Sequence, residues 1–176
     1  MNNLFVFVEG DDDLFFIKQI LYEYFLNKSV NLIAIPYQQT RNHIIKKSIK
    51  QAKKDKTADY LLISDLDSHR YPCITERKKA RFDELNGEID LNKIIIAKEE
   101  IENWFLAGLN CELEIFKDFD DFENTELITK EDFEKLINEK SINKFEFFTQ
   151  LKDYYDFDLA LKRSNSLKYF FDKYCS

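Results

Sequence analysis

The chain has 176 residues, of which 44% are hydrophobic and 34% charged, and this composition predicts one globular domain with a substantial core. Its formal charge of −7 argues against a protein that coats nucleic acid through overall charge, although a local basic patch is compatible with an acidic average. Because its only glycines are Gly10, Gly87 and Gly108, it cannot form a dinucleotide fingerprint, a P-loop or a nucleophile elbow.

The cysteines and the N-terminal residues indicate a compartment. Cys73, Cys111 and Cys175 are far apart and form no C-x-x-C motif, which argues against a structural zinc site and fits a reducing environment. The first apolar run has five residues before Glu9, which is too short for a signal peptide or a membrane span. We therefore expect a cytoplasmic protein that does not enter a membrane.

Four short, continuous apolar runs predict strands that are buried on both faces, as in a parallel sheet. They lie at 4–8, 32–35, 60–63 and 94–97. Segments with helical spacing of apolar residues separate them, at 11–26 and 41–54, and the more charged segment 71–85 fits either a helix or a loop. This order predicts a right-handed α/β unit.

The pattern after residue 99 is helical. We expect helices at 99–109, from Thr129 onward, at 141–154 and at 166–174, and a solvated surface for the ten acids of 112–134. With no linker or repeat, residues 1–176 are predicted to form one domain. Its fold class is α/β, a three-layer Rossmann-like parallel sheet of about four strands over 1–107, with a helical C-terminal extension over 108–176 packed on it.

Carboxylates follow three of the four predicted strands. In α/β sheets the functional site lies beyond the carboxyl ends of the strands, so these groups are expected to meet at one edge. Crowded carboxylates repel unless a cation neutralises them, and a hard divalent ion with oxygen ligands does so. The pattern predicts metal-assisted phosphoryl transfer, whereas each acid taken alone also fits a helix N-terminus. The three groups are Glu9 with Asp11, Asp12 and Asp13; Asp65 with Asp67; and Lys98 with Glu99, Glu100 and Glu102.

Two of these groups resemble motifs of the TOPRIM domain, which topoisomerases, primases, recombination proteins and nucleases of the overcoming-lysogenization-defect type share. Val8-Glu9-Gly10-x-x-Asp13 resembles its first motif, and Ile63-Ser64-Asp65-Leu66-Asp67 resembles its D-x-D motif. Residues 96–107, where a glutamate precedes an aromatic-rich helix, and 164–170 are similar to small proteins of the last type. The core resemblance covers 4–107.

The resemblance implies a role for each matching residue. Glu9 would be a general acid/base or a metal ligand, and Asp13, Asp65 and Asp67 would be ligands of Mg²⁺ or Mn²⁺. Lys98 matches a lysine near the phosphate, and Glu102 an additional acid. Because the sequence carries no ATPase half, topoisomerase gate or primase region, the resemblance implies a nuclease that hydrolyses phosphodiester bonds, with DNA as the expected substrate.

Two basic clusters are candidates for binding nucleic acid. The first, at 41–56, has seven basic residues and one acid, and it also fits a solvated helix face. The second directly follows the D-x-D motif. The candidate residues are Lys46, Lys50 and Lys53 in the first cluster, and Arg70, Arg77, Lys78 and Arg81 in the second.

Three alternatives stay open. A receiver-like domain would accept phosphate on Asp65, with Asp12 and Asp13 holding Mg²⁺ and Lys98 contacting the phosphoryl group. A phosphatase of the haloacid-dehalogenase type fits less well, because its D-x-D motif follows the first strand. A non-catalytic TOPRIM-like subunit of a larger complex, with an ATPase partner and a place in anti-phage defence, is suggested by analogy alone.

Overall fold

The structure is a computed structural model that describes residues 2–117, 119 and 122–174, without the side chain of Ile115. Cys175 and three acids of the 112–134 stretch, at 118, 120 and 121, lie outside the described residues. The chain divides into two compact units, Met1–Ile96 and Ala97–Ser176. Residues 97–107, which the sequence groups with the α/β core, belong to the second unit.

A four-stranded parallel sheet forms the framework of the first unit, and all four predicted strands are confirmed. The strand order is β2-β1-β3-β4, with β1 paired to both β2 and β3. β4 coincides with its predicted apolar run, and the other three strands extend beyond theirs by two to four residues in total. The strands are β1 (Asn2–Val8), β2 (Val30–Pro36), β3 (Ala58–Asp65) and β4 (Ile94–Ala97).

Both faces of the sheet are buried along β1, β3 and β4, which explains their continuous rather than alternating apolarity, whereas most residues of β2 are half-buried. On one face Phe7, Leu62 and Ile96 join a hydrophobic cluster with Ile45 and Ile49. The residues that alternate with them in β1, namely Leu4, Val6 and Val8, are buried as well. The architecture is α/β and consistent with the predicted three layers.

Helices of the first unit follow the predicted segments. The predicted helix at 11–26 consists of α1 (Asp11–Phe15), a π-helical segment (Phe16–Leu21) and α2 (Tyr22–Asn27). The predicted helix at 41–54 is α3 (Asn42–Lys54), and the ambiguous segment 71–85 contains a helix, α4 (Ile74–Glu84). A short 3-10 turn, Leu91–Lys93, precedes β4.

The described part of the second unit is helical around an aromatic core. Trp104 and the rings of Phe133, Phe147 and Phe148 are buried, whereas Phe145 and Tyr154 are exposed. Phe105 lies 5.1 Å from Phe148 between ring centroids. Thr129 caps α6 by accepting a hydrogen bond from the Asp132 backbone. The sequence does not predict α8. The elements are α5 (Glu102–Ala107), a 3-10 turn (Glu114–Phe116), α6 (Lys130–Glu139), α7 (Lys144–Tyr154), α8 (Phe157–Arg163) and α9 (Asn165–Tyr174).

The lengths and compositions of the helices bear on membrane crossing. Within the described ranges, none of them combines the length and the apolarity that crossing a bilayer requires.

Gly108 is required by a close contact with Tyr155 in the second unit. A Cβ atom on Gly108 would lie 2.4 Å from ring atoms of Tyr155, whose hydroxyl donates to the Trp104 carbonyl at 2.7 Å. We expect Gly108→Ala to lower the free energy of unfolding by about 1–3 kcal/mol through overpacking, measured by urea denaturation. Gly10→Ala is the control, because a Cβ there meets nothing within 4 Å. Equal stability of the two variants would contradict this account of the contact.

Candidate functional site

A cleft lies at the carboxyl edge of β1 and β3, where the strand order reverses direction. This is the switch point at which open α/β sheets bind ligands. Its volume is about 480 Å³, and its lining includes residues that follow β1, β2 and β3 together with residues of α3 and α4. The charged lining residues are Glu9, Asp67 and Glu84, and Arg41, Arg70, Arg77 and Arg81, so one positive charge is in excess. We call it the switch-point cleft.

Glu9 directly follows β1, and its carboxylate is held on both oxygens. The hydroxyl of Tyr37 donates to Oε2 at 2.7 Å, and the side-chain amide of Gln38 donates to Oε1 at 2.9 Å. Both partners follow β2. The backbone pairing of the two strands continues there, since Tyr37 N donates to the Val8 carbonyl at 2.7 Å. The parallel register therefore positions these side chains beside Glu9.

Arg77, from α4, joins the two TOPRIM-like motifs. Its Nη2 lies 2.9 Å from Asp67 Oδ2 and 3.6 Å from Glu9 Oε2, and its Nε donates to the backbone carbonyl of Asp65 at 2.6 Å. The side chain is only 2% exposed and packs against the Tyr71 ring at 4.6 Å. A charged group buried this deeply requires such partners, so the carboxylates and Arg77 stabilise one another.

Arg81 lies one helical turn further along α4 and approaches Glu9 from the same side. Its Nη2 is 3.1 Å from Glu9 Oε2 and donates to the Tyr37 hydroxyl at 2.8 Å, while Nε donates to Ser64 Oγ at 3.0 Å. Its Nη1 binds Glu84, at 2.7 Å. Burial raises the pKa of Tyr37 well above its ordinary value, so its hydroxyl keeps the proton it donates to Glu9.

Asp13, a predicted metal ligand, is a buried acceptor that closes the loop between β1 and α1. Its Oδ2 accepts hydrogen bonds from the backbone N–H groups of Glu9 at 2.7 Å and Gly10 at 2.9 Å. Burial raises the pKa of Asp13 from 3.8 to about 6, against the lowering effect of these two donors; the charges of Glu9 and Asp12 raise it slightly. The arrangement matches the structural interpretation of an acid in the first turn of a helix.

The contacts of Glu9 and Asp67 bear on whether the predicted site can hold a cation. Glu9 and Asp67 lie near one another, but the groups around them are guanidinium, hydroxyl and amide donors rather than further carboxylates. Among the described residues, no group of three or more His, Cys, Asp or Glu side chains is placed to hold a metal ion. As arranged, the residues do not fit Mg²⁺ or Mn²⁺, which require converging oxygen ligands. The metal-binding role of Asp65, whose side chain is half-buried, stays a prediction.

Lys98 and Glu102 belong to the second unit. Lys98 Nζ lies 3.8 Å from Oε2 of Glu126, a buried carboxylate whose Oε1 accepts from the Ser166 backbone at 2.8 Å. Ser164 Oγ also donates to Glu126 Oε1, at 3.2 Å. Glu102 is 3% exposed in the first turn of α5. The predicted roles of Lys98 near a phosphate and of Glu102 as an additional acid stay predictions.

The basic candidates divide into two sets. Side chains of the first cluster, on α3, are paired with a neighbouring segment: Lys46 with Asn86 at 3.1 Å, Lys50 with Glu88 at 3.0 Å and Lys53 with Asp90 at 2.9 Å. In the second cluster Arg70, Arg77 and Arg81 line the cleft, and Lys78 is half-buried. The second set therefore has the position that a phosphate site requires.

Tyr37, Gln38 and Arg41 line the cleft, although the sequence assigned them no role there. The sequence could have indicated Tyr37 and Gln38, because both directly follow β2 and residues after a buried strand lie at the functional edge of the sheet. Arg41 directly precedes α3, whose positive end lies at the cleft and adds to the positive potential.

The chain was compared with the profiles of known protein families, with curated proteins and with solved structures, and none of them matches it. The likeness to TOPRIM domains therefore depends on the two motifs and on their positions after β1 and β3.

The buried carboxyl of Asp13 predicts a pH-dependent stability. Its raised pKa means that the folded state binds the proton more tightly, so the stabilisation is complete below about pH 4 and is lost as the pH rises through about 6. Asp13→Asn keeps an acceptor oxygen and removes the charge. Relative to the variant, the wild type should lose up to about 3 kcal/mol of unfolding free energy between pH 4 and 7, measured by urea denaturation. Curves that stay parallel over this range would contradict the assignment.

Proposed function

We propose that the chain binds the phosphate backbone of a nucleic acid in the switch-point cleft and hydrolyses a phosphodiester bond there, as the resemblance to TOPRIM nucleases implies. One observation carries the proposal: Glu9 of the first motif and Asp67 of the second lie near the same guanidinium, that of Arg77. Two motifs that are distant in sequence thus share one cleft, which four arginines line.

The charge of the cleft favours a phosphate ligand. Arginine presents a planar fork of donors that matches phosphate oxygens, and it keeps its charge at every physiological pH. Arg41 and Arg70 are exposed at the cleft, and the lining carries one positive charge in excess. An anion is therefore attracted to this cleft, although the protein as a whole is negatively charged.

Hydrolysis requires a water oxygen to attack phosphorus, the bond to the leaving oxygen to break, and a base to take the proton of the water. The resemblance assigns that proton transfer to Glu9, which Tyr37 and Gln38 hold in position. Guanidinium groups nearby would stabilise the charge that develops on the phosphorus oxygens.

Several further predictions are part of the proposal because the TOPRIM resemblance or the sequence pattern implies them; the contacts in the cleft do not bear on them. They are DNA as the substrate, an ATPase partner, a cytoplasmic location and a part in anti-phage defence. Dependence of cleavage on Mg²⁺ or Mn²⁺ is implied by the resemblance, but the described donors do not fit these ions. The identity of the fold as a TOPRIM domain is also part of the proposal, because the structure itself shows an α/β fold with a four-stranded parallel sheet.

A second candidate is a subunit that binds phosphate without cleaving. Both oxygens of the Glu9 carboxylate already accept hydrogen bonds, which favours this alternative because a general base needs an oxygen that faces the water. Binding without hydrolysis would identify it.

Paired substitutions of equal charge separate the cleft from the α3 surface. Arg41→Gln with Arg70→Gln should weaken binding of single-stranded and duplex DNA about tenfold and reduce its salt dependence, because phosphate contacts are lost. Lys50→Gln with Lys53→Gln is the control and should change binding little, since Glu88 and Asp90 already neutralise those lysines. Fluorescence anisotropy over a series of salt concentrations measures both.

The same preparations test cleavage of labelled DNA and RNA with Mg²⁺, Mn²⁺ or EDTA. We expect Asp67→Asn to reduce cleavage strongly, because Arg77 loses the carboxylate that holds its guanidinium in the cleft. The fold, followed by circular dichroism, should be retained, because Arg77 keeps its contacts with Glu9 and the Asp65 carbonyl. Equal loss of binding in both paired variants would contradict the assignment of the cleft. Absence of cleavage by the wild type would contradict the nuclease, and cleavage by Asp67→Asn at the wild-type rate would contradict the role of this cleft in cleavage.

A further inference from the structure

We infer that Arg77 and Arg81 supply to this cleft the positive charge that a divalent cation would supply to converging carboxylates, so that a phosphate group binds here without a metal ion. The inference rests on the proposed function, in which the cleft receives the phosphate of a nucleic acid. It concerns the binding step.

The charges of the two pairs balance in a buried setting. Glu9 and Asp67 bring two negative charges, and Arg77 and Arg81 bring two positive ones. The guanidinium side chains are 2% and 12% exposed, so solvent screens these interactions only weakly. Two bare carboxylates would repel an incoming phosphate, and a cation at such a site first removes that repulsion. Here the arginines remove it.

Three of the four carboxylate oxygens of Glu9 and Asp67 are already engaged with donors. Oε2 of Glu9 accepts from Tyr37 and Arg81, Oε1 accepts from Gln38, and Oδ2 of Asp67 is paired with Arg77. A divalent ion would have to displace those donors while being repelled by both guanidiniums at close range. A phosphate, in contrast, is attracted by the same groups.

The two arginines differ in how they are held. Arg77 is fixed by the Asp65 carbonyl and the Tyr71 ring. Arg81 shares its terminal nitrogens between Glu9 and Glu84, whose side chain is 45% exposed at the rim. An incoming phosphate therefore competes with these two carboxylates for Arg81. Loss of the Glu9 charge should strengthen phosphate binding, whereas a metal ligand at this position would predict the opposite.

The test measures the affinity of a fluorescein-labelled, nuclease-resistant phosphorothioate single strand by anisotropy, in EDTA and in Mn²⁺. We expect the wild type to bind equally well in both buffers. Glu9→Gln should bind about tenfold more tightly in EDTA, which corresponds to about 1.4 kcal/mol, and Arg81→Gln about tenfold more weakly. Glu139→Gln makes the same charge change at an exposed position of α6 and should have no effect.

Binding that requires Mn²⁺, or a Glu9→Gln variant that loses a Mn²⁺-dependent gain in affinity, would overturn the inference. If Arg81→Gln fails to fold, Glu9→Gln still decides the matter, because in Mn²⁺ the arginine account predicts tighter binding by this variant and a metal ligand at this position predicts weaker binding. If Glu139→Gln changed the affinity as much as Glu9→Gln does, the effect would arise from the net charge of the protein rather than from the cleft. That outcome would also overturn the inference.

A second ligand separates this inference from the proposed function. Inorganic phosphate is titrated in EDTA by calorimetry with the same variants. If phosphate binds with the expected order of affinities and the oligonucleotide does not bind in either buffer, the nucleic-acid proposal fails and the inference stands. If neither ligand binds, both fail.

Discussion

Burial of two guanidinium groups against carboxylates at the ends of neighbouring parallel strands is the interaction on which the cleft depends. Parallel strands bring their carboxyl ends to one edge, and there β1 and β3 deliver Glu9 and Asp67. Without counter-charges, these groups would repel one another and be costly to desolvate. Helix α4 supplies the counter-charge through Arg77 and Arg81. Such pairs add little net stability, but losing one partner leaves an uncompensated charge, so the arrangement is strongly specified.

Much of the fold was predictable because burial on both faces leaves a distinct pattern in the sequence. The four strands are continuous apolar runs, and α3 shows its buried face as Ile45, Ile49 and Ala52. Two features left no comparable signal. The π-helical segment Phe16–Leu21 has the same apolar spacing as an ordinary helix, and α8 is seven residues long, too short to show a period.

The site was predictable in part for the same topological reason. The strand-end rule located Glu9 and Asp67, and it would have located Tyr37 after β2. The pairing of Arg77 and Arg81 with those acids could not be predicted, because it depends on how α4 is turned toward the sheet edge. Asp13 was assigned to a metal because it matches the first TOPRIM-like motif, and a motif does not show that its carboxylate accepts hydrogen bonds from two backbone N–H groups. The lysines of α3 form a uniform basic face in the sequence pattern. Their ion pairs with Glu88 and Asp90 could not be predicted, because those acids are distant in sequence.

The most direct measurement of the central claim is the anomalous difference density of crystals grown with manganese chloride. The account predicts that no manganese peak lies among Glu9, Asp65 and Asp67, and that the guanidinium of Arg81 lies within hydrogen-bonding distance of the Glu9 carboxylate. A manganese ion coordinated by these carboxylates, with Arg77 and Arg81 turned away from them, would contradict it.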